Sequence, residues 1–202
     1  MKSLAMLAGL IVLTGCASTP LPRTYVLSTP ADPVAGVHNE AGRLVVELPT
    51  VALPDYLDST DILLRDGRNE LKASPTGRWG ERLSVGITHA LEVALARRLP
   101  GVLVTRTSMP GQQSLRLMVD VEAFDVQPYG QCVLTARWMI PGDDQQAAAI
   151  AERGTFVTKA TAAPGTTGPL PDAAIVSAMA AAVDQLADRI AGSLRRGSAR
   201  PR

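Results

Sequence analysis

The residues best placed to do chemistry stand close to the start of the chain, at Leu13-Thr14-Gly15-Cys16. The cysteine thiol, once deprotonated, is a nucleophile that can carry a diacylglyceryl group through a thioether. Thr14 and Gly15 are small enough for a peptidase to grip an extended backbone just before it. A branched apolar residue, a small one, Gly or Ala, then Cys is the lipobox pattern. Upstream, Lys2 supplies a positive start, and Leu4 to Leu13 is almost entirely apolar. That run falls short of the roughly 20 apolar residues a membrane-spanning helix needs, and it has the length of a signal-peptide core. Residues 1–15 are therefore expected to be a lipoprotein signal peptide, with Cys16 as the lipidated mature N-terminus. Such a modification turns a soluble chain into an anchored one. Each buried methylene contributes about 0.8 kcal/mol, so several acyl chains (palmitate and the like) hold a protein permanently. Ala17, in place of Asp, points by the enterobacterial sorting rule to the outer membrane and its periplasmic face.

Other chemistries find no foothold. The chain has no G-x-S-x-G elbow, no G-x-x-x-x-G-K loop, no C-x-x-C and no H-E-x-x-H. His38, in a loop, and His89, on a helix, are too few and too far apart for zinc, which needs three or four clustered ligands. Asp143-Asp144 follows Pro141-Gly142, where acidic residues commonly serve turns. Arg195, Arg196, Arg200 and Arg202 are a short basic end that reads as a solvated terminus. The expectation is a non-enzyme with no catalytic residue, no cofactor and no metal.

Removing residues 1–15 from the 202 leaves 187, enough for one domain with its own core. The 20 basic and 19 acidic residues nearly cancel, and without Lys2 they balance. No basic excess marks nucleic acid as a partner. With 46% apolar but only 3% aromatic residues, the core must be built from Val, Leu, Ile and Ala. Cys132 is the only thiol besides Cys16. It alternates in phase with Leu134, Ala136, Trp138 and Ile140, so it is expected on the apolar face of a strand as a small hydrophobe.

Residues 16–23 suit a lipidated tether, residues 24–195 a single domain, and residues 196–202 a disordered basic tail. Strands are predicted at TYVLS, RLVVELP, DILLR, NELKAS and VLVT, with a hairpin turn at Asp66-Gly67-Arg68. SLRLMVDVEAFDV alternates strictly. Leu115, Leu117, Val119, Val121 and Ala123 are predicted on the apolar face; Arg116, Met118, Asp120, Glu122 and Phe124 are predicted on the other. It should pair antiparallel with QCVLTARWMI through a turn at Pro128-Tyr129-Gly130, and GTFVTKAT should form a further strand. A first helix carries Leu83, Ile87, Ala90, Leu91, Ala94 and Leu95 as one stripe and stops at Pro100-Gly101. A second begins at Asp172, read as its N-cap, with Val176, Met179, Val183, Leu186 and Ile190 inward. The predicted class is α+β: a mainly antiparallel sheet with two helices packed on one face, in a single domain.

Three stretches in order carry a family resemblance: Tyr25-Val26-Leu27, then LPDYLDSTDILLR at 53–65, then RWGERL at 78–83. Pro54, Tyr56, Leu57, Asp58, Ile62 and Arg65 match the second motif, and Arg78, Trp79, Glu81 and Leu83 the third. The chain resembles the ABC-type transport auxiliary lipoprotein family over roughly residues 24–195. It departs from the pattern at Ser59-Thr60-Asp61, Gly80 and Arg82. The resemblance implies a membrane-integrity lipoprotein, an accessory subunit of an MCE-type intermembrane lipid transport system. It would be held in the membrane by its acyl chains and would dock the periplasmic MCE-domain tunnel protein at the outer membrane. Closed homo-oligomers are common enough to add one as a further expectation.

Tyr56, Leu57, Asp58, Arg78 and Trp79 are the candidate partner contacts. Their plain alternative is structural: Tyr56 and Leu57 plugging the core edge, Trp79 as a hydrophobic staple, Arg78 and Glu81 as a local ion pair. Two other functions compete. One is an assembly factor or plug for another outer-membrane component. The other is a periplasmic hydrolase, which would need a nucleophile and base that the sequence does not display.

Overall fold

A computed structural model describes residues 21–27, 44–109, 114–141, 148–161 and 168–198. The expected signal peptide, Cys16, His38 and Asp143-Asp144 lie outside them. Strands β1 (Arg23–Tyr25), β2 (Val45–Glu47), β3 (Asp61–Arg65) and β4 (Leu71–Trp79) precede helix α1 (Leu83–Arg98). Then come β5 (Leu103–Thr105), β6 (Ser114–Arg116), β7 (Met118–Val126), β8 (Gln131–Pro141), β9 (Ala148–Lys159) and helix α2 (Asp172–Ser198).

Two sheets form. One has six strands in the order β1-β4-β3-β7-β8-β9, the other three in the order β5-β2-β6. The α+β class holds, but the six-stranded sheet is mixed and not mainly antiparallel, and the three-stranded sheet is parallel throughout. Strands adjacent in sequence, β3/β4, β7/β8 and β8/β9, do pair antiparallel. Strands distant in sequence, β1/β4, β3/β7, β2/β5 and β2/β6, pair parallel. Parallel pairs need a long crossover, which strand periodicity alone does not disclose.

The helices pack together, and α2 lies over β8, β9 and part of β4. One continuous core joins Leu83, Ile87, Leu91 and Leu95 of α1 to Val183, Leu186 and Ile190 of α2 and to the strands beneath. Both predicted apolar stripes thus face inward. The buried Thr88 hydroxyl donates to the Ser84 carbonyl at 2.6 Å and accepts from the Val51 amide at 2.9 Å. The segment after β2 is thereby tied to α1 without an orphaned polar group.

Several boundaries differ from the expected ones. β4 runs through Trp79, so α1 starts later than the motif RWGERL suggests. β9 takes in the Ala-rich connector before GTFVTKAT. α2 continues through Ser198, and Arg196 bonds Glu152 at 3.1 Å, so residues 196–198 belong to the helix. The Ala174 and Ile175 amides bond the Pro171 carbonyl, making Pro171 the N-cap in place of Asp172. Asp172 instead accepts from the Ser74 hydroxyl at 2.7 Å and the Thr76 hydroxyl at 2.6 Å. Those residues lie where the β3/β4 register slips, and a carboxylate at the first turn also suits the helix dipole.

The largest correction concerns Phe124. The β7/β8 register shifts between Val121 and Ala123, so one residue, Glu122, is inserted as a bulge. A side-chain period of two then flips phase. Val119, Val121, Phe124 and Val126 all face the core, and Phe124 is 1% exposed instead of outward.

Candidate functional site

Of the five motif residues, three serve the fold. Leu57 and Trp79 are in the core. Asp58 is half-buried. Its Oδ1 accepts from the Ser84 amide at 3.0 Å, and its Oδ2 from Arg82 Nε at 3.0 Å and Nη2 at 2.7 Å. A carboxylate from a preceding loop thus caps α1, whose own N-cap residue, Arg82, supplies no side-chain acceptor. Burial opposes ionisation of Asp58, but the Ser84 amide and the Arg82 guanidinium outweigh it and lower its pKa.

Tyr56 and Arg78 remain exposed. Trp79 points into the core, so Arg78 points to the sheet's other side, where it stands in register with Asp61. The expected Arg78–Glu81 pair does not form: Glu81 faces His89 Nδ1 at 3.3 Å. Tyr56 is 48% exposed beside an ion pair, Arg65–Asp125 at 2.9 Å. Its phenol pKa is raised by partial burial and then by the Asp125 charge, with Arg65 opposing. In the sequence Arg65 shows only as a motif match, and Asp125 does not stand out. The signal for the pair is that Arg65 and Asp125 each follow an inward-facing apolar residue, half-buried Leu64 and buried Phe124.

The helix-free face of the sheet continues from this pair across β7, β8 and β9. Met118, Met139 and Val157 are exposed on it. Arg137 bonds Asp120 at 2.6 Å and Glu122 at 2.9 Å, and Arg153 bonds Glu122 at 2.8 and 2.6 Å. Arg137 and Arg153 are direct cross-strand neighbours, a repulsive pairing on its own. The bulged Glu122 sits between them and neutralises it; Arg153 foremost holds its pKa low.

Cys132 is fully buried, as expected, and burial pushes its thiol up to about 11. A thiol so held is not a nucleophile at neutral pH. His89 contacts Glu81 and Arg106 Nη1, the latter at 2.6 Å, in a local cluster completed by Glu92. Among the described residues no three His, Cys, Asp or Glu side chains group to hold a metal, and no helix is long and apolar enough to cross a membrane. A shallow groove between β9 and α2 is floored by Phe156 and rimmed by Asp188, Arg189 and Arg196. Its Asp188 is engaged by Arg98, which lowers its pKa.

These features describe an α+β domain that exposes, opposite its helices, a mixed apolar and ion-paired sheet face. Two crystal structures share the fold. One, described only as an uncharacterized protein, has a TM-score of 0.68 at 20% identity and covers 87% of this chain and 99% of its own. The other, protein XCC0632 from Xanthomonas campestris, assigned to DUF330, has a TM-score of 0.63 at 15% identity and covers 88% and 94%. No curated protein matches the sequence. The description "ABC-type transport auxiliary lipoprotein component" matches residues 25–191. The chain belongs to that family, and family membership makes it a membrane-anchored lipoprotein associated with ABC-type transport.

Proposed function

We propose that this protein is a non-enzymatic accessory subunit of an MCE-type lipid transporter. Cys16 carries the acyl anchor, the domain faces the periplasm from the outer membrane, and it docks the end of the MCE-domain tunnel protein there. The observation that carries the reading is the family match across residues 25–191, whose description names an auxiliary transport role. The motif residues support a division of labour. Leu57, Asp58 and Trp79 build the domain, while Tyr56 and Arg78 stay on its surface for a partner. An exposed tyrosine offers apolar area at low entropic cost and is enriched at interfaces. Closure of several copies around the tunnel exit would present such residues repeatedly.

The test is a crosslinked pull-down from membranes comparing wild type with Cys16→Ser. Recovery of an MCE-domain protein with wild type, and much less with the variant, is the expected result. Recovery of none while Cys16 is acylated would leave the anchor and remove the transport reading.

A further inference from the structure

Strand directions define one end of the domain. β3 and β7 run parallel toward it, so the β3–β4 turn at Asp66–Glu70 and the β7–β8 turn at Pro128–Gly130 are both found there. β9 ends there at Lys159, and Leu170, just before α2, stands against Gly130. β1 runs parallel to β4, which starts from this end. The chain therefore heads into the fold from the direction of this end, and Arg23 joins the sheet beside Gly77, in the far half of β4. Cys16 precedes Leu21 by five residues, and covalent geometry alone keeps it within about 18 Å of Leu21.

Tyr129 projects from this end at the tip of the β7–β8 turn. It is 93% exposed, and Leu21 is 91% exposed. Tyr129 is also the one non-glycine among the described residues with positive φ, at 67°. That region disfavours a residue with a bulky side chain. The neighbouring Gly130, with φ 82°, has no room for a side chain because Leu170 and Ala160 close on it. The turn is thus held in a strained shape that thrusts an aromatic ring into solvent, the kind of outlier from which function is inferred. At this end Arg68, Lys72 and Lys159 stand against Asp66 and Glu70, and both of those carboxylates pair with Lys72. Three cations against two carboxylates leave a surplus of one positive charge.

We infer that this end of the domain rests on the bilayer that holds the acyl anchor, with Tyr129 seated at the boundary of headgroups and acyl chains. The inference depends on the anchor at Cys16. Tyrosine is at home at that boundary, with its ring in the apolar layer and its hydroxyl in water. The one surplus cation adds a small attraction for anionic headgroups. A second contact fixes the domain's tilt, which an acyl tether alone leaves free, and so aims the rest of the sheet at the periplasm.

The test uses the full lipidated chain reconstituted in vesicles of phosphatidylethanolamine and phosphatidylglycerol, with and without brominated acyl chains. Tyr129→Trp is compared with Met139→Trp, an exposed position toward the other end of β8; Trp79 and Trp138 are buried and give the wild-type background. The expected result is blue-shifted added emission at 129, quenched about twofold by brominated lipid, with emission at 139 unaffected. Solvent-like, unquenched emission at 129 in chains that float with the vesicles would overturn the inference and leave the anchor standing. Chains that fail to float would overturn the anchor, and the inference with it.

Discussion

The two faces of the β7–β8–β9 sheet are built by opposite rules from alternate residues of the same strands. Toward the helices stand Val121, Phe124, Val126, Leu134, Ala136 and Trp138, all buried. Toward solvent stand Asp120, Arg137 and Arg153, linked through Glu122 and flanked by exposed Met118, Met139 and Val157. One face gains stability from area removed from water. The other is held in register by charge and keeps apolar atoms free. The difference teaches where tolerance lies: the helix side fixes the fold, and the open side is available for recognition. The bulge at Glu122 joins the two, because the same inserted residue turns Phe124 inward and sets a carboxylate between two arginines.

That contrast can be broken most forcefully at Phe124. Phe124→Ala should cost about 3–5 kcal/mol in denaturant titration, whereas Met139→Ala on the open face should stay within about 0.5 kcal/mol. Equal losses would erase the distinction.

Alkali should expose the buried side next. The Cys132 thiol has a raised folded pKa of about 11, against an ordinary value near 9. Its contribution is whole below pH 9 and lost as pH rises toward 11, because only the unfolded chain ionises freely. Two pKa units amount to about 3 kcal/mol. The loss should be absent in Cys132→Ala when stability is followed across that range.

Asp58→Ala removes the cap of α1 and should cost about 1 kcal/mol. Asp58 has a lowered folded pKa, so its contribution is present above the ordinary carboxylate range and disappears as pH falls through the folded value. The variant should therefore lose part of the wild-type acid limb. The smallest effect belongs to Arg153→Ala: a shift at the edge of detection in low salt that vanishes in molar salt, as exposed ion pairs do.

Much of this architecture is legible in the sequence. The stripes of α1 and α2 and the phase of β8, with Cys132 inward, follow from periodicity because burial on one side dictates side-chain type. The phase of β7 beyond Val121 is not legible, since an inserted residue leaves no mark in an alternating pattern that reads equally well unbroken. The parallel pairings are hidden for a different reason: they join segments separated by a helix or long loops, and no local signal encodes a partner. At the candidate site, Leu57 and Trp79 as core residues agree with their size. Asp58 as a distant cap becomes visible only with the loop folded against α1. Tyr129 lies in a turn that the sequence marks, but its exposure and left-handed backbone belong to a turn whose Gly130 is closed in by Leu170 and Ala160, which come from elsewhere in the chain.

The most direct test of the open face as the recognition surface is site-specific photo-crosslinking in cells. A photoreactive residue replaces Tyr56 on the open side in one strain and the exposed Gln185 of α2 in another. The predicted result is an MCE-domain protein crosslinked from position 56 and not from 185. A crosslink to it from 185 alone would contradict the assignment of the open face to recognition.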